Sequence, residues 1–329
     1  MNVMVTGGAG YIGSHTVKQL LELGHKVVVV DNLFRGHEKA VCEGAAFHKI
    51  GLWETEKLAE ILLKNQVDCV MHFAALAYVS ESVAEPLSYY ENNTAGAICL
   101  LNAMKLAQVK RFIFSSTCAT YGEPSSTPIA ESTKQEPVNP YGWSKLCVER
   151  VLKDYGVADN EFSYVGLRYF NVAGCAADGS LGEDHSPETH LIPVALHTAL
   201  QNRKKITVYG TDYGTPDGTC IRDYVHVEDL SNAHIMAMNS MKSGEGTFYN
   251  VGIGKGYSVR QVLDAIRRVT GVDFPIEYGK RRPGDPPVLY ANAQKIRTKL
   301  GWSAKYTEIE PIVETAWNWF KSHPNGYSD

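Results

Sequence analysis

Nowhere in this chain do two cysteines stand two residues apart. The seven present (Cys42, Cys69, Cys99, Cys118, Cys147, Cys175 and Cys220) are scattered and odd in number. That excludes a disulfide framework and a C-x-x-C zinc site, predicts buried thiols in a reducing cytoplasm, and leaves no metal expected. No apolar run approaches the ~18 residues of a membrane span. Basic residues form no long runs and the formal net charge is −4, so neither nucleic acid nor an anionic membrane is expected as partner. Repeats and low-complexity tracts are absent. A strand pattern begins almost at Met1, so no signal or transit segment is expected. What remains is ordinary globular composition: 329 residues, 44% hydrophobic and 21% charged, enough for one large or two modest domains.

The informative stretch comes first. Val3, Met4 and Val5 lead into Thr6-Gly7-Gly8-Ala9-Gly10-Tyr11-Ile12-Gly13, and an amphipathic run follows from Ser14 to Leu23. Strand, tight turn and helix are predicted. Glycines let the backbone approach a ligand closely, and a helix N-terminus offers free N–H groups to an anion. Both Gly7-x-x-Gly10-x-x-Gly13 and Gly8-x-Gly10-x-x-Gly13 fit. The next strand, Lys26 to Val30, is continuous and β-branched and ends in Asp31. An acid roughly 20 residues beyond such a loop hydrogen-bonds ribose hydroxyls in dinucleotide sites. Its charge would repel a 2′-phosphate, which favours NAD.

Between Asp31 and about residue 66 a loop and one helical pattern, Glu56 to Leu63, are expected. Asp68 to Ala75 reads as a strand ending in small residues, which suits either a nearby cofactor or simple packing. A helical run from Tyr89 to Ala107 contains Asn92 and Asn93, poor helix formers, which suggests a polar duty for one of them. Lys110 to Thr117 is a strand ending in three hydroxyls; in doubly wound sheets such ends face the ligand cleft, although serine-rich ends also make plain turns. Cys118 to Pro140 reads as a long loop. Further strands are expected at Ser163–Asn171, Ile206–Tyr209 and Arg222–Val227, and a helix at Asp229–Met241.

Asn139 as N-cap and Pro140 at the first position start a helix. Tyr141 and Lys145 then stand at i and i+4 on one face. An ammonium beside a phenol lowers its pKa from about 10, which would make Tyr141 a general base; a plain surface Tyr/Lys pair is the alternative. Arg222 and Arg282 together could clamp a diphosphate, or be solvated like most loop arginines. Composition changes after Gly174, which divides the chain into 1–174, a dinucleotide-binding domain that also receives part of 222–250, and 175–329, a substrate domain. The fold class expected is α/β: a Rossmann-type doubly wound parallel sheet with a smaller C-terminal α/β domain.

Thr6-Gly-Gly-Ala-Gly-Tyr-Ile-Gly-Ser14, Tyr141-x-x-x-Lys145, Arg168-Tyr-Phe-Asn171, Arg222-Asp-Tyr-Val-His226 and Arg282-Pro-Gly-Asp285 occur in this order. On these motifs, over essentially its full length, the chain resembles the extended short-chain dehydrogenase/reductases, and within them the branch that epimerises UDP-hexoses at C4. The resemblance implies that Tyr141 is the base, that Lys145 tunes it, and that Thr117 bridges to the sugar hydroxyl. It implies a tightly held NAD contacted by Gly7, Gly10, Tyr11, Ile12, Gly13, Asp31, Asn32, Phe73, Asn92, Thr117, Tyr141, Lys145 and Tyr169. It assigns the UDP-hexose to Thr117, Tyr141, Asn171, His190, Leu191, Thr207, Tyr209, Arg222, Arg282, Asp285 and Leu289. Hydride leaves C4 for NAD and returns to the other face, without net redox, in galactose metabolism. A homodimer paired through helices of the first domain is implied too.

Departures are informative. Dehydratases of the family place an Asp-Glu pair after the strand-end threonine and decarboxylases a glutamate in this segment; here Cys118-Ala-Thr-Tyr-Gly122 holds no acid. Ala77 stands where many members have lysine, the region Ile50–Leu52 lacks an aspartate, and His190 replaces a frequent asparagine. Leu289 is intermediate between the small residue that admits an N-acetyl group and the aromatic that excludes it. Two further readings remain open: a net nucleotide-sugar oxidoreductase with exchangeable cofactor, and a non-catalytic NAD-sensing protein.

Overall fold

In the computed structural model, which describes residues 1–282 and 286–327, the continuous apolar runs become strands buried on both faces. The chain runs β1 (Asn2–Thr6), α1 (Tyr11–Glu22), β2 (Lys26–Asp31), β3 (Ala46–Lys49), α2 (Thr55–Lys64) and β4 (Cys69–His72). Short helices α3 (Val79–Ala84) and α4 (Pro86–Tyr89) pass through a wide π-type turn, Tyr90–Ala95, into α5 (Gly96–Leu106). There follow β5 (Arg111–Thr117), a single tight turn at Cys118–Tyr121, α6 (Pro140–Ala158), β6 (Ser163–Tyr169) and β7 (Asn171–Ala173). The remainder is α7 (Leu191–Ala199), β8 (Ile206–Tyr209), β9 (Ile221–His226), α8 (Val227–Ser240), β10 (Gly246–Val251), β11 (Gly256–Ser258) and α9 (Val259–Thr270). It ends in β12 (Ile276–Gly279), β13 (Val288–Leu289), α10 (Gln294–Leu300) and α11 (Ile309–Ser322).

Seven strands form one parallel sheet in the order β10-β6-β5-β4-β1-β2-β3. Strand order reverses between β1 and β4, the switch point where doubly wound sheets bind ligands. Alternation explains the burial. Val3, Val5, Val27, Val29 and Met71 face one core layer, against which α1 and α8 pack. Met4, Val28, Val30, Val70, Phe112 and Phe114 face the other, with α2 and α5. The expected Rossmann-type α/β architecture is therefore present. Strand β3 had no expectation: its Ala46-Phe-His-Lys49 carries little apolar pattern and pairs only along β2 at the sheet edge.

Strands β7, β8, β9, β11, β12 and β13 lie outside this sheet and build the smaller unit. β9 pairs with β11, β13 and β7, and β8 pairs with β12. Helices α7, α9 and α11 enclose a core of Leu196, Val262, Ile266, Ile312, Trp319 and Phe320. Helix α9 has a complete N-terminal capping box between Ser258 and Gln261, and Gly271 at φ +70° stops it, as the left-handed C-terminal position favours.

Gly13 sets how closely α1 approaches β1, because a Cβ there would overlap the Gly7 carbonyl oxygen. Gly13→Ala is expected to destabilise the protein by about 1–3 kcal/mol through overpacking, read as a lower urea midpoint. An unchanged midpoint would mean that α1 tilts freely enough to admit the methyl.

Candidate active site

Four strand ends meet at the switch point. Gly7 follows β1, Phe73 follows β4, Thr117 ends β5 and Tyr169 ends β6, and all four line one cavity of about 400 Å³. Gly10, Tyr11, Ile12, Gly13, Tyr141 and Lys145 line it too. From the smaller unit's side come Asn171, His190, Leu191, Arg222 and Leu289.

The glycine loop leaves room for a bulky anion. Gly7 sits at φ +74°, and a Cβ there would lie 2.5 Å from the Ala74 nitrogen. Gly10 caps α1 without any side chain covering the first-turn N–H groups, so the positive end of the helix faces the cavity bare. Asp31 is buried at the end of β2, and its carboxylate accepts from the N–H of Ala9 at 3.1 Å and of Leu33 at 2.8 Å. Burial pushes its pKa up, and those backbone donors pull against the rise. A carboxylate has about four acceptor sites, so capacity for two ribose hydroxyls is left. Loop, bare helix end and acid together fit an adenine dinucleotide.

Helix α6 brings in the chemistry. The Asn139 side chain accepts from the Gly142 N–H at 2.9 Å, as an N-cap should. Gly142 packs so closely on the turn after β5 that a Cβ would lie 2.6 Å from the Ala119 oxygen. This contact sets Tyr141 on the wall that Thr117 lines, where Thr117 Oγ1 accepts from the Ala119 N–H at 3.1 Å. One turn on, Lys145 Nζ donates to the Ser115 carbonyl at 2.9 Å. Ser115 Oγ in turn meets the Tyr169 hydroxyl at 2.7 Å.

The electrostatics correct the expectation from helix spacing. Burial pushes the Tyr141 phenol well above its ordinary pKa, the nearby Tyr169 adds to this, and the Thr117 hydroxyl opposes them without reversing the shift. Lys145 itself is pulled down to about 7 by burial. A dry site disfavours charge on either group, so adjacency alone does not make Tyr141 a strong base.

A buried ion pair holds this helix. Arg168 Nε and Nη2 donate to both Glu149 carboxylate oxygens, at 2.8 and 2.6 Å. Ser116 Oγ donates to Glu149 at 2.7 Å, and Arg168 Nη1 to the Tyr121 hydroxyl at 2.8 Å. Glu149 stands one turn beyond Lys145, Ser116 precedes Thr117, and Arg168 precedes Tyr169. Sequence reading quoted Arg168 only within a motif and missed Glu149; its placement at i+4 from Lys145 was the available signal.

Of the two asparagines, Asn93 carries the polar duty. It accepts from the Leu76 N–H at 2.8 Å, and its Nδ2 donates to the Leu76 carbonyl at 2.9 Å and to Ser144 Oγ at 3.0 Å. Asn92 donates to Asn93 and is not among the cavity-lining residues. Asn32 is exposed and accepts from the Phe34 N–H. Thr207 and Tyr209 lie on β8, and the Arg282 guanidinium stacks over the Tyr209 ring at 4.2 Å. Arg222 lines the cavity and Arg282 does not, so this conformation brings no two-arginine clamp together. Asp285 lies outside the described residues. Ala77 lines the cavity where a lysine was expected.

Sequence reading also passed over a cluster on the far wall. His185 and His190 line the cavity, with Glu183 and Glu188 behind them. Burial opposes protonation of His185, but the Glu183 and Glu188 carboxylates outweigh it and raise the ring to about 10.

A model of the NAD dependent epimerase/dehydratase family matches residues 3–252. The chain belongs to that family. A UDP-glucose 4-epimerase of Lacticaseibacillus casei is 48% identical over 330 residues, covering 100% of this chain and 99% of the relative. The crystal structure of UDP-glucose 4-epimerase from Brucella ovis in complex with NAD superposes with a TM-score of 0.93 at 47% identity, covering 97% of this chain and 98% of that one. The Bifidobacterium longum enzyme in complex with NAD+ and UDP gives 0.95 at 39% identity, covering 99% and 100%. NAD is the cofactor of the chain.

Lys145 provides a pH test. Its folded pKa of about 7 lies below its ordinary 10.5, so between these values the unfolded chain binds more protons and stability rises with pH. The penalty is full below about 7 and gone above 10.5. In dinucleotide-free protein, urea unfolding across this window is expected to show that rise. Lys145→Met should flatten it by up to about 1.4 kcal/mol per pH unit. Identical slopes would mean that Lys145 titrates normally.

Proposed function

We propose that the chain interconverts UDP-glucose and UDP-galactose by inverting C4 of the hexose, with NAD retained throughout. One observation carries the reading. Thr117, Tyr141 and Lys145 share a cavity with the bare glycine loop, and none of the described residues lining it is an aspartate or glutamate. Elimination and decarboxylation require an acid there; moving one proton at O4 does not.

In this reading residues 1–174 with α8 and β10 hold the dinucleotide, and the remainder receives the UDP-hexose. Gly7 to Gly13 take the pyrophosphate, Asp31 a ribose, and Phe73, Tyr169 and Lys145 surround the nicotinamide end. Asn171, His190, Leu191, Arg222 and Leu289 face the sugar nucleotide; Thr207, Tyr209, Arg282 and Asp285 take the uridine and diphosphate end. Bound NAD supplies a two-electron acceptor and returnable store for C4, and its cationic ring favours phenolate. Thr117 orients the 4-hydroxyl and Tyr141 takes its proton. Lys145, anchored on the Ser115 carbonyl, supplies positive charge while Tyr141 is ionised. Tyr141 returns the proton to O4 as the turned-over 4-keto sugar regains hydrogen and two electrons at C4, so no net redox occurs.

Purified protein incubated with UDP-galactose and no added cofactor is expected to produce UDP-glucose. Tyr141→Phe should lower kcat by about 10²–10⁴ while the protein keeps its NAD. Unchanged turnover in that variant, or a strict need for added NAD(H), would overturn the assignment and favour a net oxidoreductase.

Leu289 pairs with Arg222 in the β13–β9 ladder and lines the cavity. UDP-GlcNAc is expected to be a slower substrate than UDP-glucose, and Leu289→Ser should raise its relative kcat/KM about tenfold or more. An unaltered ratio would remove Leu289 as the determinant.

Two properties of the surface and composition complete the proposal. All seven cysteines are free, which suits a cytoplasmic enzyme of galactose metabolism; among the described residues no helix is long and apolar enough to cross a membrane. Val83, Leu87, Ile98 and Trp143 are exposed on α3 to α6 at 64%, 76%, 39% and 42%. A second copy of this chain would cover them. Sedimentation should give a dimer of the 36.3 kDa chain, shifted toward monomer by Leu87→Arg with Ile98→Arg; a monomeric wild-type protein would refute this pairing.

A further inference from the structure

The loop between β7 and α7 carries Glu183-x-His185-x-x-Glu188-x-His190. One ligand atom from each of these residues lies within 4.8 Å of those of the other three. His185 Nδ1 lies 3.3 Å from Glu183 Oε1 and 3.5 Å from Glu188 Oε2. His190 Nδ1 lies 3.6 Å from Glu188 Oε1 and 2.5 Å from Glu183 Oε1. A tetrahedral ion with bonds of 2.0–2.1 Å to nitrogen and oxygen separates its ligands by about 3.3 Å. Both separations from His185 are already close to that edge, and the His190–Glu183 contact has to open.

The surroundings support a built site. The Glu183 and Glu188 side chains are 3% and 8% exposed. His185 Nδ1 is buried without a hydrogen-bond partner of acceptable geometry. Its ring meets Tyr11 and Tyr78 edge-on, at 6.1 and 6.0 Å, which restricts rotation. Glu188 Oε1 accepts from the backbone N–H groups of Thr189 and His190, both at 2.7 Å. Such outer contacts orient metal ligands.

We propose that Glu183, His185, Glu188 and His190 bind one divalent transition-metal ion of the zinc class on the wall of the cavity. Two carboxylates and two neutral imidazoles balance its two charges. Mixed imidazole and carboxylate donors select zinc, cobalt or nickel over magnesium or calcium. The ion enters as protons shared between the rings and carboxylates leave, so no oxidant or reductant is needed. Bound there, it would fix the loop that carries both histidines into the cavity.

The probe is Co²⁺, added near pH 8 to NAD-containing protein that has been stripped with a chelator and desalted. One ion per chain is expected, with the intense visible absorption of a four-coordinate site, bleached by Zn²⁺. His185→Gln and Glu188→Gln should each weaken binding at least tenfold, whereas His48→Gln, on β3, should not. Zn²⁺ should raise the melting temperature of wild-type protein and not of His185→Gln. Should His185→Gln fail to fold, Glu188→Gln serves alone. Absence of cobalt absorption at tenfold excess over folded protein would overturn the site and leave a self-paired His/Glu cluster, as would absorption unchanged in both variants.

Discussion

The geometry of the site depends on a charge pair with no access to water. Arg168 and Glu149 face each other with side chains 3% and 0% exposed, and between them they join β6, β5 and α6. A buried pair adds little net stability compared with apolar residues of the same volume, but separating its members is strongly unfavourable. Its consequence is therefore positional. Neither the strand ends nor the helix can slide without leaving a bare charge in the core: Lys145 stands one turn before Glu149, Tyr169 follows Arg168, and Thr117 follows Ser116, whose Oγ donates to Glu149. Asn93, in the wide turn at Tyr90–Ala95, holds the same helix through Ser144 while pairing with both backbone polar groups of Leu76.

That rigidity keeps Tyr141 and Lys145 buried, and burial governs their charge. In water an i, i+4 Tyr/Lys pair would ease ionisation of the phenol. Here burial shifts both groups toward neutrality, Tyr141 upward and Lys145 down to about 7. The phenolate is thus costly until something cationic shares the cavity, which couples proton transfer to occupancy by the cofactor. Waiting in the neutral state protects the site, because a permanently ionised base would draw water in. The absence of acid on the described walls narrows the chemistry further, to a proton that is borrowed and returned.

Periodicity and punctuation carried the architecture. The β-branched run ending in Asp31, the glycines of the first loop and the Asn139-Pro140 cap each specify local backbone through sterics or one hydrogen bond, and each lies where the residues predicted. Edge strand β3 did not show, since a strand paired on one side needs little apolar pattern. The polar role predicted within the Asn92–Asn93 pair belongs to Asn93, because burial against Leu76 and Ser144 is a tertiary fact. Thr207, Tyr209 and Arg282 follow from a motif order that says nothing about whether the segments close over the cavity.

What the sequence by itself determined, then, was the sheet, the glycine loop and the placement of Tyr141 and Lys145 on one helix face, all encoded in short-range spacing. Tertiary structure alone decided the protonation behaviour of that pair, because desolvation depends on what surrounds a group and not on its neighbours along a helix. It also decided the partnership of Glu149 with Arg168, nineteen residues apart, and the convergence of two glutamates and two histidines on one point. Spacing reveals such a cluster only after a loop has been folded back on itself.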